Sequence, residues 1–243
     1  MLIEILCTGD EILTGKTVNT NYSHMARRFG EVGLTMHWST VVGDDRSCLA
    51  TAFQQASQRA DAVIVNGGLG PTVDDLSQEV AAEAAGVGLI LDENWLSRML
   101  DFYERRGRTM PPNNKKQAML PEGAEFIDNP IGTACGFAIN IGSARFFFTP
   151  GVPREMRKMI DEQIIPRLLK ISGLKVVNRL KRFHSFGIGE SRADQLLSGV
   201  EALAIDGSLK LGFQAHYPQL ETKLSAQAPT NKDLDKKLAP AIE

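Results

Sequence analysis

The sequence predicts an α/β fold: a mostly parallel sheet with helices on both faces, followed by a small α+β unit. Two observations predict it. Apolar β-type runs and helical stretches alternate regularly from residue 2 to residue 86. The composition then shifts near KISGLK (170–175), and beyond that point the order becomes βαββα.

The first strand is LIEILC (2–7), and NTNYSHMARRFGEVG (19–33) is an amphipathic helix with Gly33 as its C-cap. TMHWSTVVG (35–43) alternates like a strand. RSCLATAFQQASQRA (46–60) reads as a second helix and DAVIVNGG (61–68) as a third strand. A helix follows NGGLGPTVDD and runs to Gly86. This β-α-β-α-β-α order requires right-handed crossovers onto a parallel sheet. Further helices are predicted over 92–106 and 114–119, and strands near 124–127, 136–141 and 144–149. A helix opens after GVP, with Pro153 at a tolerated early position, and runs to Leu169. The first domain is thus 1–170. The second, 176–243, has a strand at 176–186, a helix at 190–198, strands at 208–217 and 220–226, and a helix from Asn231. The closing KKLAPAIE does not resemble a finished terminus, so a fragment of a longer protein is expected.

Composition excludes several classes. Hydrophobic residues at 43% and charged residues at 23% are ordinary for a globular protein. A net charge of −2 gives no pull towards nucleic acid or anionic membrane. No apolar run approaches the roughly 20 residues that cross a bilayer. Glu4, with no basic stretch before it, argues against a signal peptide. Cys7, Cys48 and Cys135 are odd in number and far apart, matching neither a disulfide framework nor a zinc site, so a reducing cytoplasm is expected. His24, His37, His184 and His216 make no metal-ligand spacing.

The chemistry concentrates in NGGLGPTVDD (66–75). In an open α/β sheet, ligands sit beyond the carboxyl ends of the strands, and this turn lies at one. So does CTGDEILTG (7–15). Glycines let backbone N–H groups approach a ligand, and a following helix start favours phosphate. The turn therefore reads as a phosphate cradle. Thr72-x-x-Asp75 also fits a capping box, and acids suit a first helical turn. That accounts for one aspartate but leaves a second carboxylate and the glycines. Paired carboxylates beside a phosphate turn are what a Mg²⁺-type cation needs, with phosphate oxygens completing its shell.

CTGDEILTGKTVNTN, VVGDD, NGGLGPTVDDLS, NNKKQAMLPEGAEFIDNPIGTACGF, TPGVPREM and FGIGES occur together and in order. In these motifs the chain resembles the competence-damage-inducible (CinA) family, across essentially its whole length. The resemblance implies a molybdopterin-binding-like first domain and a KH-like second one. CTGDE and PGVP also resemble molybdenum-cofactor enzymes that bind a pterin phosphate. Full-length relatives usually continue into a nicotinamide-nucleotide amidase domain, which these residues do not include.

The resemblance implies a metal-dependent pyrophosphatase acting on ADP-ribose or a similar nucleotide diphosphate. Asp74 and Asp75 would hold a divalent cation, Mg, Mn or Co. Gly67, Gly68, Gly70 and Thr72 would line the phosphates, and Gly9, Asp10, Glu11 and Asn21 the facing wall. Lys116 and Gln117 would reach the diphosphate, Lys116 as a catalytic group beside Asp74 and Asp75. Gly132, Thr133, Pro150, Gly151 and Glu155 would complete the pocket. A homodimer is expected by analogy with related domains.

Two positions depart from the family pattern. GTACG stands at 132–136 where many relatives read GTAPG, and Thr149 precedes PGVP where many have Leu. Cys135 invites a nucleophile reading, but no His lies near it in sequence. RRGR (105–108) suits a solvated helix end, and could also hook over a phosphate. The second domain lacks a G-x-x-G clamp, and Phe183, Phe186, Phe213 and Tyr217 fit core positions as well as base-stacking ones, which argues against nucleic acid. Two other functions compete with hydrolysis. One is a pterin- or nucleotide-binding or adenylyl-transferring domain; the other is a non-catalytic assembly domain for an absent nicotinamide mononucleotide deamidase.

Overall fold

The computed structural model describes residues 1–174 and 177–242. The chain divides into two compact units, Met1–Arg27 with Thr35–Ser172, and Arg28–Leu34 with Gly173–Glu243. No helix among the described residues is long and apolar enough to cross a membrane.

In chain order the elements of the first part are β1 (Ile3–Thr8), α1 (Asp10–Leu13), α2 (Thr20–Glu31), β2 (Met36–Val42), α3 (Arg46–Arg59) and β3 (Ala62–Asn66). There follow α4 (Ser77–Ala85), β4 (Leu89–Leu91), α5 (Glu93–Glu104), β5 (Met119–Pro121), β6 (Glu125–Ile127), β7 (Gly136–Ile141), β8 (Ala144–Thr149), α6 (Pro153–Met159) and α7 (Ile165–Ser172). Six strands form one sheet in the order β2-β1-β3-β8-β7-β6. The first four are parallel; β7 runs antiparallel to both β8 and β6. The predicted mostly parallel sheet is therefore present.

Strand periodicity explains the core. Leu6, Val63, Val65, Phe146 and Phe148 point to one face and join Leu49, Phe53 and Ala56 of α3, Val80 and Ala81 of α4, and Trp95 and Met99 of α5. Their alternate neighbours Ile3, Ile5, Ile64 and Phe147 are buried as well. Strands covered on both sides read as continuous apolar runs, as AVIV and FFF do. Phe137 stacks on Phe148 with centroids 4.3 Å apart, and Phe53 meets Phe148 edge-on at 5.6 Å. One charge sits inside this sheet. Glu4 is fully buried on β1, where Arg59 donates from Nε at 2.8 Å and Nη2 at 2.5 Å, and the Thr40 hydroxyl donates at 2.6 Å. A buried carboxylate is tolerable only with such partners.

The structure adjusts the expected elements at turns. The short helix α1 was not expected, nor was the β4–β5 ladder, where Leu89 pairs with Pro121. The segment predicted as a helix at 114–119 is a tighter 3₁₀ turn over Pro112–Ala118, opened by a proline that cannot donate. The last helix of this unit extends to Ser172, three residues into the predicted linker. Asp92 caps α5 by accepting from the Trp95 N–H at 2.8 Å. Asp92→Ala is expected to destabilise the first unit by about 1 kcal/mol. Urea unfolding followed by tryptophan fluorescence checks this, since both tryptophans, Trp38 and Trp95, belong to that unit.

The second part carries β9 (Val177–Phe186), α8 (Glu190–Leu196), β10 (Leu209–His216), β11 (Gln219–Ala228) and α9 (Asn231–Ile242). The βαββα order is as expected; the predicted first strand residue, Val176, lies outside the described residues, as does Glu243. The sheet is antiparallel in the order β10-β11-β9. Its core is Leu209, Leu224, Ala226 and Ala228 with Leu234 and Leu238 of α9. The aromatics considered for this core do not enter it. Phe183 and Phe213 pair across from Thr222, beyond the end of the cluster, while Phe186 and Tyr217 are 70% and 100% exposed. Tyr217 belongs to the two-residue turn that joins β10 to β11 at that end.

Candidate functional site in the first unit

Register builds the site. Thr8 pairs with Val42, Cys7 with Asn66, and Asn66 with Thr149. The carboxyl ends of four parallel strands are thereby level, and the residues just beyond them converge: Gly9, Asp44, Gly67 and Pro150–Gly151. Thr8, Gly9, Glu11, Asp44, the 67–71 turn, Asp74, Asp75, Gln117, Thr133, Ala134, 150–152 and Glu155 line one cleft of about 480 Å³.

Hydrogen bonds fix the cleft floor. The Asn66 amide donates to Pro150 O at 2.7 Å and to Thr149 Oγ1 at 3.2 Å. Asn21 Nδ2 donates to Asn66 Oδ1 at 2.9 Å and Gly151 O at 2.7 Å. Asn21 thus holds the PGVP loop in place from below. Ser77 closes the glycine turn, donating its hydroxyl to Gly67 O at 3.0 Å and its N–H to Gly68 O at 3.1 Å. The Thr8 hydroxyl lies buried in the floor with no hydrogen-bond partner among the described residues.

The glycines serve the turn itself as well as any ligand. Gly67 has φ +112° and Gly68 φ +69°, both disfavoured for other residues. A Cβ on Gly67 would lie 2.9 Å from the Thr8 carbonyl oxygen, and one on Gly68 would strike the Ser77 side chain. The Gly9 and Gly67 N–H groups are already used, donating to Val42 O and Thr149 O. Among the described residues, the N–H groups of Gly68, Leu69 and Gly70 have no acceptor, and all three residues line the cleft.

The paired aspartates differ in environment. They precede α4, which starts only at Ser77, so they do not sit in a first helical turn and the macrodipole does not explain them. Asp75 Oδ2 accepts from the Thr72 N–H at 2.9 Å and from the Thr72 hydroxyl, which closes a capping-box-like turn outside any helix. Asp74 is exposed and makes no such closure. Its carboxyl is held below the usual range by the neighbouring Thr72 hydroxyl, its own backbone N–H and the Lys116 charge. Asp44 and Asp10 exchange bonds, each accepting from the other's backbone N–H at 3.2 Å. Burial raises the Asp44 acid first, and the negative charges of Asp10, Glu11 and Asp74 raise it further. Asp44 lies in the VVGDD motif, and its place two residues past a strand that ends at Val42 is the sequence signal for a cleft residue.

Several expected residues support the cleft without lining it. Asp10, Asn21 and Thr72 act through the bonds just described. Lys116 Nζ donates to Thr72 O at 3.2 Å and pairs with Glu79 at 3.2 Å, so it buttresses the aspartate turn from behind. Gly132 lines a neighbouring cavity. Gln117 does line the cleft, bridging Leu69 O at 3.3 Å and Asn114 at 2.9 Å. The 129–134 loop is organised by Asn129, which the motifs contained but did not single out. Its amide donates to Ala134 O at 2.8 Å and Glu155 Oε2 at 2.7 Å, and its oxygen accepts from the Gly132 N–H at 3.1 Å. Burial pushes the Glu155 carboxyl up.

Oxygen donors of this kind suit a hard divalent cation. Among the described residues no three Asp, Glu, His or Cys side chains close around one point, so Asp74 and Asp75 would need phosphate oxygens to complete a shell. Cys135 is a poor nucleophile here. It is fully buried, burial drives its thiol far above the ordinary range, and its Sγ points at Gln117 O, 3.7 Å away. Cys135→Ala is expected to keep activity within about threefold of the parent, and native protein to resist iodoacetamide at this residue. Turnover assays and mass spectrometry of the alkylated protein check both.

Comparison with known proteins fits this geometry. Residues 4–170 match the family described as probable molybdopterin binding domain. A CinA-like protein from Escherichia coli (strain SE11) is 43% identical over 234 residues, 96% of this chain. The NMN amidohydrolase-like protein YfaY of E. coli (strain K12) is equally similar. The chain spans 58% of the length of each. A crystal structure of the protein CinA, with unknown function, from Thermoplasma acidophilum matches 71% of this chain and 98% of its own, at 32% identity and a TM-score of 0.59. The chain belongs to the CinA-like family, and its first unit carries that family's molybdopterin-binding-type domain.

Proposed function

We propose that the chain hydrolyses the diphosphate of ADP-ribose, or of a similar nucleotide diphosphate, with a divalent cation (Mg, Mn or Co) bound between substrate and protein. The observation that carries this reading is the pairing, in one cleft, of unused N–H donors at Gly68–Gly70 with the carboxylates of Asp74 and Asp75. The N–H groups bind phosphate oxygens. Asp74 and Asp75 would hold the cation, which when bound neutralises diphosphate charge. The Thr8 hydroxyl gives a further donor at the floor.

Water is the attacking group. Its oxygen bonds to the adenosine-side phosphorus, the bridging P–O bond breaks, and AMP and ribose 5-phosphate leave. Glu155 is the cleft carboxylate suited to take the water proton, because burial raises its basicity and Asn129 fixes its orientation. Lys116 positions Thr72 and helps to lower Asp74, and its ammonium is the charge that would reach the diphosphate and stabilise the leaving phosphate.

The test is ADP-ribose hydrolysis by the chain with and without each metal, following AMP. AMP that forms only with metal supports the proposal. No AMP with any metal, alongside measurable nucleotide binding, would leave a binding domain instead.

A further inference from the structure

A second and larger cavity, of about 710 Å³, adjoins the cleft and shares Val152 and Glu155 with it. Its charge is opposite. Arg98, Arg105, Arg106 and Arg154 line it, against the carboxylates of Asp101 and Glu155. Two of the guanidinium groups are engaged. Arg98 donates to Asp128 at 2.7 Å and lies 4.7 Å from the Trp95 ring centre. Arg106 stacks 3.5 Å over the Phe102 ring and donates to Phe102 O at 3.0 Å. Stacking leaves the guanidinium edge available for further bonds. Among the described residues, the guanidinium groups of Arg105 and Arg154 have neither an ion pair nor a hydrogen bond; Arg105 donates its backbone N–H to Asp101 O.

The helix-end explanation of RRGR does not account for Arg154, which comes from α6 on the other side of the cavity. Two elements far apart in sequence thus present unpaired guanidinium groups to one space. The 129–134 loop borders both cavities: Gly132 lines the arginine side and Thr133 the cleft side.

From this we infer that the arginine-lined cavity is a subsite for a phosphomonoester, so that the ligand is a nucleotide diphosphate bearing an additional phosphate. This deepens the nucleotide reading of the cleft and rests on it. The two cavities divide the work by sign. An acidic cleft binds phosphate through backbone N–H groups and a cation. The arginine cavity binds phosphate directly, through the planar two-pronged bonds that guanidinium makes with phosphate oxygens.

Calorimetric titration of the whole chain with ADP-ribose, ADP-ribose 2′-phosphate and ADP-ribose 1″-phosphate tests the inference, since the two analogues put the extra phosphate at opposite ends. At least one is expected to bind about tenfold tighter than ADP-ribose, a gain typical of a charge-assisted pair. The variant Arg105→Gln/Arg154→Gln should lose that gain while binding ADP-ribose within about twofold of the parent. Equal affinity of all three ligands for the parent, or a gain that survives in the variant, would overturn it. AMP release from ADP-ribose with no gain from either phosphate would remove the subsite and keep the hydrolase. A gain without AMP release would do the reverse.

Discussion

Asp74→Asn is expected to lower metal-dependent AMP release from ADP-ribose by about 10³-fold or more, with no change in the unfolding of the first unit. Two features make this the sharpest test of the cleft. Asp74 is exposed, so its carboxylate is not needed for burial or packing. Its acid is also held below the usual range by Thr72, its own N–H and Lys116, which favours the charged form a cation needs. A low-lying carboxylate that closes no turn is what a cation site requires. Activity is read as AMP release across metal concentrations, and folding as tryptophan fluorescence in urea. A variant within about tenfold of the parent at saturating metal would remove Asp74 from the site.

Asp75 gives a less clean result, and the reason is structural. Its Oδ2 closes the turn onto Thr72, and its carboxylate packs against Gly70. Asp75→Asn therefore perturbs the turn and the proposed metal together. Both readings of this aspartate, turn closure and ligand, were open from sequence; the structure places the residue in the turn and in the cleft at once.

Much of the fold was legible because periodicity and burial agree. AVIV and FFF are continuous apolar runs, and both became strands buried on two faces. The cleft was legible for a related reason: glycines and acids directly after strands mark the carboxyl edge of a parallel sheet. What escaped depends on contacts distant in sequence. Asn21 was named through the family motif, but that it acts by donating to Gly151 O, 130 positions on, shows only in the fold. Lys116 and Gln117 are neighbours in one motif, yet Gln117 lines the cleft while Lys116 bonds Thr72 O, a division that adjacency in sequence does not show. Arg105 and Arg154 line one cavity although 49 positions separate them in the chain. The aromatics of the second unit misled for the opposite reason. Strand alternation says which face a ring is on, but not where the covering helix stops.

Gly67→Ala is expected to destabilise the first unit by about 3 kcal/mol or more, through backbone strain together with overpacking. The φ of +112° lies where a side chain is rarely tolerated. A Cβ there would also meet Thr8 Oγ1 at 2.5 Å and Thr8 O at 2.9 Å. The hydroxyl can rotate away, but the carbonyl belongs to β1, whose neighbours on both sides fix it. Relief must then come from Gly67 itself, breaking its N–H bond to Thr149 O and parting β3 from β8 at the floor of the cleft. Gly70→Ala is the informative contrast. Its φ is not positive, and the atoms a Cβ would meet are the end of the Asp75 side chain, which can swing aside. That variant should fold nearly as stably as the parent, yet lose Asp75's position and with it nucleotide affinity in the presence of metal. Paired urea titrations and metal-dependent binding isotherms separate the two glycines. If Gly67→Ala unfolds like the parent, the steric account of the turn is wrong. If Gly70→Ala binds like the parent, the link from this glycine through Asp75 to the phosphates fails.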